Sequence, residues 1–368
     1  MLHPNLLTTE PTYRMPAEWE PHEAVWLQWP DVGMRQTPSY ARKLQTAWLE
    51  MAAILADHVR VRIAATDAAT EADAERDCAR FGANMSRIDV HLVPINDVWA
   101  RDTGPIFVKR SDGKLVATDW NFNGWGEPNA SQDKDRMVPT AIAAMCGLDR
   151  QVGGIVTEGG AVEVNGSGTL MATRSSILNP NRNPGKSQRD VEVALSQLLG
   201  VTNFVWLSGA QRADCLQLGD ATDFHIDLVA RFAGRNLVLA NATEDHNDPR
   251  KIFMDRHIQE LEAAADEFGL PFEVVRLPTP RMLSMSTIRF SGTTDVIDPG
   301  ASTDASYSNY LVTNGLVLVP AYGQPEDSWA KAILAEHFPD RDVIGVSAIN
   351  MTEQGGAIHC VTQQQPAI

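Results

Sequence analysis

The sequence predicts an α/β fold built from a repeated ββα-type module. Short β-rich runs alternate with helical stretches from end to end of the 368 residues. Strand-like pairs joined by turn dipeptides recur among the helices, as expected for such a module. No linker rich in Gly, Ser or Pro divides the chain, so a single domain over residues 1–368 is the simplest organisation.

Two helices are predicted from apolar residues that recur three or four positions apart. The first runs from Ala41 to Asp57, and the second ends at Gly269. Their apolar positions are Leu44, Trp48, Met51 and Leu55 in the first, and Ile258, Leu261, Ala265 and Phe268 in the second. Both faces are expected to pack in the core.

Four hairpins are predicted where a dipeptide or a glycine that tolerates positive φ separates two strand-like arms. The turns fall at Asp112-Gly113, Asn165-Gly166, Gly234 and Asn314-Gly315. Polar residues precede these hairpins or open the last strand-like segment: Asp102, Glu158, His225, Asp227, Asn309 and Cys360. If the modules surround an axis, these residues face one another across a central cleft.

The charge balance restricts the class of partner. The chain has 31 Lys and Arg against 47 Asp and Glu, a formal net charge of -16. A field of this sign disfavours nucleic acid and anionic membranes and favours a small cation, although solubility alone also explains acidity. The N-terminal stretch resembles no secretory signal, and no window approaches the ~20 apolar residues of a membrane span. We therefore expect a cytoplasmic protein. The sequence leaves its oligomeric state open, and a homo-oligomer is one of the possibilities.

Cys360 differs from the other cysteines in its surroundings. The four are Cys78, Cys146, Cys215 and Cys360, without the spacing of a disulfide framework or a metal site, so neither metal nor cofactor is expected. Gly355-Gly356 permits a ligand to approach closely, and the polar run Thr362–Gln365 is unlike a core strand. The other three lie in stretches typical of inert cysteines.

A thiol nucleophile needs a proton carrier, and two histidines are candidates. His225 lies between Asp223 and Asp227, and His359 is adjacent to Cys360. Neighbouring side chains on a strand point to opposite faces, so His359 is expected to face away from the target of the thiol. His225 is therefore the preferred carrier.

The stretch NDVWARDTGP has two interpretations. Asp102 could pair with a planar guanidinium through two parallel hydrogen bonds, or Arg101 could form an ordinary loop salt bridge. Trp99 could pack over a cation or simply belong to the core. The residues alone leave these alternatives open.

Taken together, the motifs resemble those of the agmatine deiminase and bacterial-type peptidylarginine deiminase family. The matches occur in family order from about Met15 to Pro366, nearly the whole chain. They are MPAEWEPHEAVWLQWP, NDVWARDTGP, FNGWG, EGG, HID, ASYSNYLVTNGLVLVP and AIHCVTQQQP. The terminal HCVTQQQP with an upstream WARD is the most specific pair.

The resemblance implies a five-bladed, pseudo-symmetric α/β propeller that hydrolyses a small cationic guanidino compound, foremost agmatine, to a ureido product and ammonia. By analogy, Cys360 attacks the guanidinium carbon. His225 transfers protons, and Glu158 orients its imidazole. The implied substrate-binding residues are Asp102, Asp227, Trp99 and Gly356.

Four departures from the family pattern leave the substrate's tail open. Phe224 stands where Gly is common, Ala221 where many agmatine deiminases carry an acid, and Ala357 where Asn is common. DVGMRQTP replaces a DNWR-like run. An arginine derivative or peptidylarginine therefore remains an alternative substrate.

Three other functions compete with deimination. An amidinotransferase would share the cysteine chemistry but require an acceptor amine. A papain-like protease is disfavoured because its cysteine would precede its histidine, the reverse of the order here. A propeller that only binds a cation would retain the pocket without turnover, and Phe224 beside the proposed base is the feature that favours it.

Overall fold

A computed structural model describes residues 12–31, 38–127, 132–284, 288–289, 296–297, 302–303 and 305–368. Most of the DVGMRQTP departure, residues 32–37, lies outside the described residues.

The strands are short, and most of those in the larger sheets are buried. In chain order they are β1 Tyr13–Arg14, β2 His22–Gln28, β3 Arg60–Ala65, β4 Ile88–Leu92, β5 Ile106–Arg110, β6 Leu115–Asp119, β7 Asp149–Val152, β8 Glu163–Val164, β9 Thr169–Thr173, β10 Asn203–Leu207, β11 Ala230–Phe232, β12 Leu237–Ala242, β13 Glu273–Pro278, β14 Leu283–Ser284, β15 Ile288–Arg289, β16 Val296–Ile297, β17 Ser302–Thr303, β18 Leu311–Thr313, β19 Leu316–Ala321, β20 Asp342–Ser347 and β21 Thr362–Pro366.

The helices lie between the strands. They are α1 Pro38–His58, α2 Ala68–Phe81, α3 Ala100–Thr103, α4 Val138–Cys146, α5 Arg174–Ile177, α6 Gln188–Leu199, α7 Arg212–Gln217, α8 Lys251–Glu262, α9 Glu326–His337 and α10 Ile349–Thr352. Within the described part of the chain, none of them combines the length and the apolar character that crossing a membrane requires.

Five sheets share one connectivity. In each, two antiparallel strands are followed by a helix and then by a third strand parallel to the second. The strand triplets are β21-β2-β3, β5-β6-β7, β8-β9-β10, β11-β12-β13 and β18-β19-β20. This confirms the predicted α/β class, and all four predicted hairpins are present.

The unit β21-β2-β3 joins the two ends of the chain. Strand β21 pairs antiparallel with β2, near the start, and Trp26 lies opposite Gln363. The polar run of β21 is buried because its amides find partners: Gln365 accepts from the Trp26 indole at 3.0 Å, and Gln363 donates to the Pro105 carbonyl at 2.7 Å. This pairing fixes the position of Cys360, two residues before β21.

One predicted helix is confirmed and the other is too long. The apolar face of α1 is buried as expected. Helix α8 ends at Glu262, and Phe268 is 65% exposed, so the predicted extension to Gly269 is wrong. The Asp266 carboxylate accepts hydrogen bonds from the backbone N–H of Phe268 and Leu270, which forms a turn in place of another helical turn.

Candidate active site

Polar residues from all five units meet at the entrances to their hairpins. Each residue directly precedes, or lies within a few positions of, the first strand of its unit. They are Asp102 before β5, Glu158 before β8, His225 and Asp227 before β11, Asn309 before β18, and Cys360 before β21. All are buried, and the contacts described below connect them into one cluster.

The Cys360 thiol is 4% exposed and lies against polar groups. The Asn309 amide nitrogen donates to Sγ at 3.2 Å, and Sγ is 3.8 Å from Asp227 Oδ2. Burial raises the pKa of Cys360 well above its usual value, with the Asp227 and Asp102 carboxylates adding to the shift. Without a bound cation, this site therefore favours the neutral thiol.

Asn309 and Arg101 fix the backbone around the nucleophile. The Asn309 side-chain oxygen accepts from the backbone N–H groups of His359 and Cys360 at 3.0 and 3.3 Å. The Arg101 backbone N–H donates to the Cys360 carbonyl at 3.1 Å. The WARD motif is thereby attached directly to the nucleophile segment.

His225 lies between two carboxylates. Its Nε2 is 3.3 Å from Glu158 Oε2, and its Nδ1 is 3.7 Å from Asp102 Oδ1. Nδ1 has no hydrogen-bond partner among the described residues. Burial alone would lower the pKa of His225, but Asp102 and Glu158 raise it to about 9. The imidazole is therefore positively charged at neutral pH.

Arg182 is a site residue that sequence reasoning missed. Its buried guanidinium donates from Nε to Glu158 Oε1 at 3.0 Å and from Nη1 to Asp223 Oδ2 at 2.5 Å. Despite burial, this cation lowers the pKa of Glu158 to about 2 and keeps it ionised. Arg182 also joins Glu158 to the loop that precedes His225. A lone Arg in the stretch NPNRNPG gave no signal of this role.

Asp102 and Asp227 remain able to accept hydrogen bonds from a cation. Asp102 accepts from the Trp125 indole at 2.9 Å and from the Gly160 backbone N–H at 3.0 Å, and burial raises its pKa. Asp227 Oδ2 contacts His359 Nδ1 at 2.7 Å, whereas Oδ1 has no hydrogen-bond partner among the described residues. Burial opposes ionisation of Asp227, but the His359 contact lowers its pKa overall.

Gly160 makes the convergence of the cluster sterically possible. A Cβ at this position would lie 2.6 Å from His225 Nδ1, 3.0 Å from Asp102 Oδ1 and 3.1 Å from Asp227 Oδ2. The first distance is shorter than real Cβ contacts and the other two are tighter than most, so a side chain here would displace the imidazole and crowd both carboxylates. The EGG motif needs its last glycine for this close approach.

Gly356 and the aromatic residues border the nucleophile. A Cβ on Gly356 would lie 2.6 Å from the Trp99 ring and 3.1 Å from Cys360 Sγ. Trp99 packs edge-to-face on Trp125, with ring centroids 6.5 Å apart, and Trp125 packs likewise on Phe122. Trp99 therefore belongs to the core and also adjoins the site. Trp125, in FNGWG, is a second residue that was not recognised as a site residue from the sequence.

Phe224 turns its ring away from the cluster. The ring packs with Phe253 and His257, at centroid distances of 5.6 and 5.9 Å. Asp223 and Phe224 both have positive φ, 63° and 62°, where non-glycine residues are strained. The Asp220 carboxylate accepts the Phe224 backbone N–H and supports this loop. At the other two departures, Ala221 and Ala357, the side chains are small and buried.

Arg101 does form a buried structural contact, as one interpretation of WARD held. Its guanidinium donates to the Gln364 side-chain oxygen at 2.6 Å and lies 3.6 Å from Glu18. Asp102, the next residue of the same short helix, faces His225. Within the described ranges, no group of three His, Cys, Asp or Glu side chains is arranged to hold a metal ion.

Comparison with known proteins gives one consistent result. The sequence profile of the Porphyromonas-type peptidyl-arginine deiminase family matches residues 14–366. The agmatine deiminase of Stutzerimonas stutzeri is 35% identical over 369 residues, covering 96% of each chain. That of Pseudomonas putida is 33% identical over 365 residues, also covering 96% of each. The solved agmatine deiminase of Enterococcus faecalis superposes with a TM-score of 0.84 at 30% identity, covering 96% of both chains.

Proposed function

Because the chain belongs to the Porphyromonas-type peptidyl-arginine deiminase family, we propose that it hydrolyses the guanidinium group of agmatine. The products are N-carbamoylputrescine and ammonia. The observation that carries the proposal is the buried cluster in which a thiol, a charged imidazole and two carboxylates converge, with Asp227 Oδ1 unpartnered among the described residues. The names of the relatives at 32–35% identity supply agmatine as the first substrate to test.

Binding of the cation prepares the nucleophile. Asp102 and Asp227 pair with guanidinium nitrogens, which holds the planar carbon in place and polarises it. Burial and the same two carboxylates raise the pKa of Cys360, so a positive charge between the carboxylates removes their opposition to the thiolate, and the thiol proton passes to solvent. The Asn309 amide then stabilises the anion that forms at Sγ.

Covalent catalysis divides the reaction into two steps. The thiolate adds to the guanidinium carbon, and His225 donates its proton to the departing nitrogen, so that ammonia leaves and an S-alkylthiouronium remains on Cys360. Neutral His225 then takes a proton from water, whose oxygen adds to the same carbon. The adduct gives up its remaining hydroxyl proton to solvent as the C–S bond breaks, so the neutral ureido product leaves and the thiolate is restored. Glu158 holds the imidazole in place throughout and stabilises its charged form.

The alkaline limit of activity should follow His225. Because the first step needs the imidazolium, kcat/KM is expected to fall as pH rises through about 9, the pKa of this group. Glu158→Gln removes a charge that raises this pKa, so the alkaline limb of the profile should move to lower pH. The measurement is kcat/KM from pH 5 to 10. An alkaline limb that stays in place in Glu158→Gln contradicts the assignment of His225.

The same histidine also links stability to pH. A folded-state pKa above the ordinary value of 6.5 stabilises the fold fully below about pH 6.5. This contribution is lost as pH rises towards about 9, where the folded state also releases the proton.

A substrate panel tests the proposed reaction. Ammonia and ureido product are measured with agmatine, arginine, a peptidylarginine and a guanidino acid, with no acceptor amine present. Agmatine is expected to give the highest kcat/KM, with one ammonia released per ureido group. An absolute requirement for an acceptor amine would identify an amidinotransferase instead. No turnover of any guanidino compound would favour a protein that only binds cations.

The arrangement of the five units supports a five-bladed propeller in one domain over residues 1–368. Each unit repeats the same strand and helix connectivity, and each contributes to one central cluster. The antiparallel pairing of β21 with β2 would close the ring. We therefore propose that the units surround a pseudo-fivefold axis that passes near Cys360.

The proposed partner is a small cationic guanidino compound, in keeping with the formal net charge of -16. We propose neither nucleic acid nor a membrane as a partner, and no metal or cofactor enters the steps above. A cytoplasmic location is supported by the free thiols of Cys78, Cys146 and Cys360, which suit a reducing compartment.

A further inference from the structure

A buried charged cluster lies behind Asp227 and has no part in the reaction steps above. His359 occupies its centre, with Nδ1 2.7 Å from Asp227 Oδ2 and Nε2 2.8 Å from Glu18 Oε2. All three side chains are almost fully buried. His359 therefore connects the proposed substrate carboxylate to a second carboxylate from the N-terminal part of the chain.

Proton counting gives the charge of this imidazole. A neutral imidazole has one N–H, so it can donate to only one of its two carboxylate contacts. An ionised carboxylate can only accept, so two ionised partners require an N–H on each ring nitrogen. The lowered pKa values of Glu18 and Asp227, against the effect of burial, agree with two ionised carboxylates. His359 is therefore an imidazolium.

Glu18 is held firmly enough to act as an anchor. Its Oε1 accepts the Val312 backbone N–H at 2.8 Å, and its Oε2 lies 2.9 Å from an Arg231 nitrogen. Arg231 in turn donates to Glu163 at 2.8 Å. Arg101 also belongs to this cluster. Its Nη2 lies 3.6 Å from Glu18 Oε2, and its Nε donates to the His359 carbonyl at 3.3 Å. Carboxylates and cations alternate through this cluster, so no member is a buried charge without compensation.

The contacts also exclude His359 as the proton carrier of the thiol. Both of its ring nitrogens are occupied by carboxylates, whereas His225 Nδ1 has no hydrogen-bond partner among the described residues. The remaining effect of His359 on the reaction passes through Asp227. Because Oδ2 is held by the imidazolium, Oδ1 is the oxygen left for a substrate cation.

We propose that Glu18 and His359 form a positioning pair, in which the anchored imidazolium holds Asp227 by Oδ2 and keeps Oδ1 directed at the substrate guanidinium. Its charge also offsets one carboxylate beside Cys360. This inference rests on the proposed function, since Asp227 is taken as the substrate carboxylate. It gives a role to two residues that the reaction steps do not use.

The first test replaces the cation by a neutral amide. In His359→Gln, kcat/KM for agmatine is expected to fall about 10- to 100-fold, mainly through KM, because Asp227 is no longer fixed. The rate at which iodoacetamide alkylates Cys360 should rise at higher pH than in the parent, because a neighbouring positive charge is lost. An unchanged KM or an unchanged alkylation profile overturns the proposal.

The second test weakens the anchor and leaves the imidazole in place. In Glu18→Gln, His359 keeps its contact with Asp227 but loses the charged acceptor at Nε2. We expect kcat/KM for agmatine to fall by less than in His359→Gln, and again mainly through KM. A loss confined to kcat, with KM unchanged, contradicts the proposal.

His257→Gln is the matched control. This buried imidazole lies in α8 and packs on the Phe224 ring, with centroids 5.9 Å apart, and within the described residues it forms no hydrogen bond or ion pair with Glu18, His359 or Asp227. Its kinetic constants and alkylation profile are expected to match those of the parent, and equal losses in His257→Gln and His359→Gln would overturn the positioning role. Alkylation of Cys360 needs no substrate, so it distinguishes failure of the positioning pair from failure of the proposed function. A parent that turns over no guanidino compound contradicts the proposed function, whereas an unshifted alkylation profile in His359→Gln contradicts the positioning pair.

Discussion

Replacing Cys360 by alanine is expected to abolish ammonia release from agmatine. Without the sulfur, no covalent intermediate can form. The remaining groups still bind the guanidinium, but its carbon is a poor electrophile and is not attacked. Removal of a nucleophile that works as one unit with its base lowers kcat on the order of 10⁶-fold. The fold should survive, because the thiol is small and alanine fits its place. Ammonia release and the melting temperature are measured on the same preparation.

Cys78→Ala provides the matched control for this substitution. Cys78 is also a buried free thiol, but it lies in α2, within the apolar core. Its replacement is expected to cost some stability and to leave kcat/KM unchanged. Ammonia release that persists in Cys360→Ala at the parental rate would remove the thiol from the mechanism.

Gly160→Ala is expected to cause the second largest loss, although it removes no reactive group. The added methyl would stand 2.6 Å from His225 Nδ1 and close to the oxygens of Asp102 and Asp227. The imidazole must move, and a misplacement of about 1 Å can cost about 100-fold in rate. We expect kcat/KM to fall by at least about this factor.

Gly154→Ala separates this effect from a general intolerance of glycine replacement in the segment. A Cβ at Gly154 meets no atom within 4 Å, and its backbone does not need glycine. Activity and stability of this variant should match those of the parent. If Gly160→Ala retained parental kcat/KM, the close packing of His225 with the two carboxylates would not be needed for the reaction.

Local signals in the sequence predicted the hairpins and the opening positions of the units. Asp112-Gly113 and Asn165-Gly166 act within a few residues, so their effect on the backbone can be predicted without knowledge of the fold.

The prediction that α8 extends to Gly269 was wrong, also because of a local interaction. Asp266 competes for backbone N–H groups at short range, and its side chain forms a turn where apolar spacing alone predicted further helix.

The supporting residues of the site could not be predicted in the same way. Arg182 reaches Glu158, 24 positions away, and Glu18 reaches His359, 341 positions away. Such contacts depend on how the units meet, and no local pattern specifies that. Trp125 offered the best signal, since an indole N–H in a glycine-rich turn usually needs a buried acceptor, here Asp102.

The polar run of β21 shows why side-chain polarity alone misleads. Thr362–Gln365 is unlike a core strand in composition, yet all four residues are buried. A glutamine amide has both a donor and an acceptor, so Gln363 donates to the Pro105 carbonyl and Gln365 accepts from the Trp26 indole. The run marks a strand that joins the two ends of the chain and carries the nucleophile beside it.

The most direct test of the covalent route is the intact mass of the enzyme quenched with acid during turnover of agmatine. The account requires an adduct on Cys360 whose mass equals that of the substrate less ammonia, and its absence from Cys360→Ala. An adduct whose mass equals that of the amidino group alone, after loss of the alkylamine part of agmatine, would indicate amidino transfer instead. Rapid turnover without any adduct would contradict attack by Cys360.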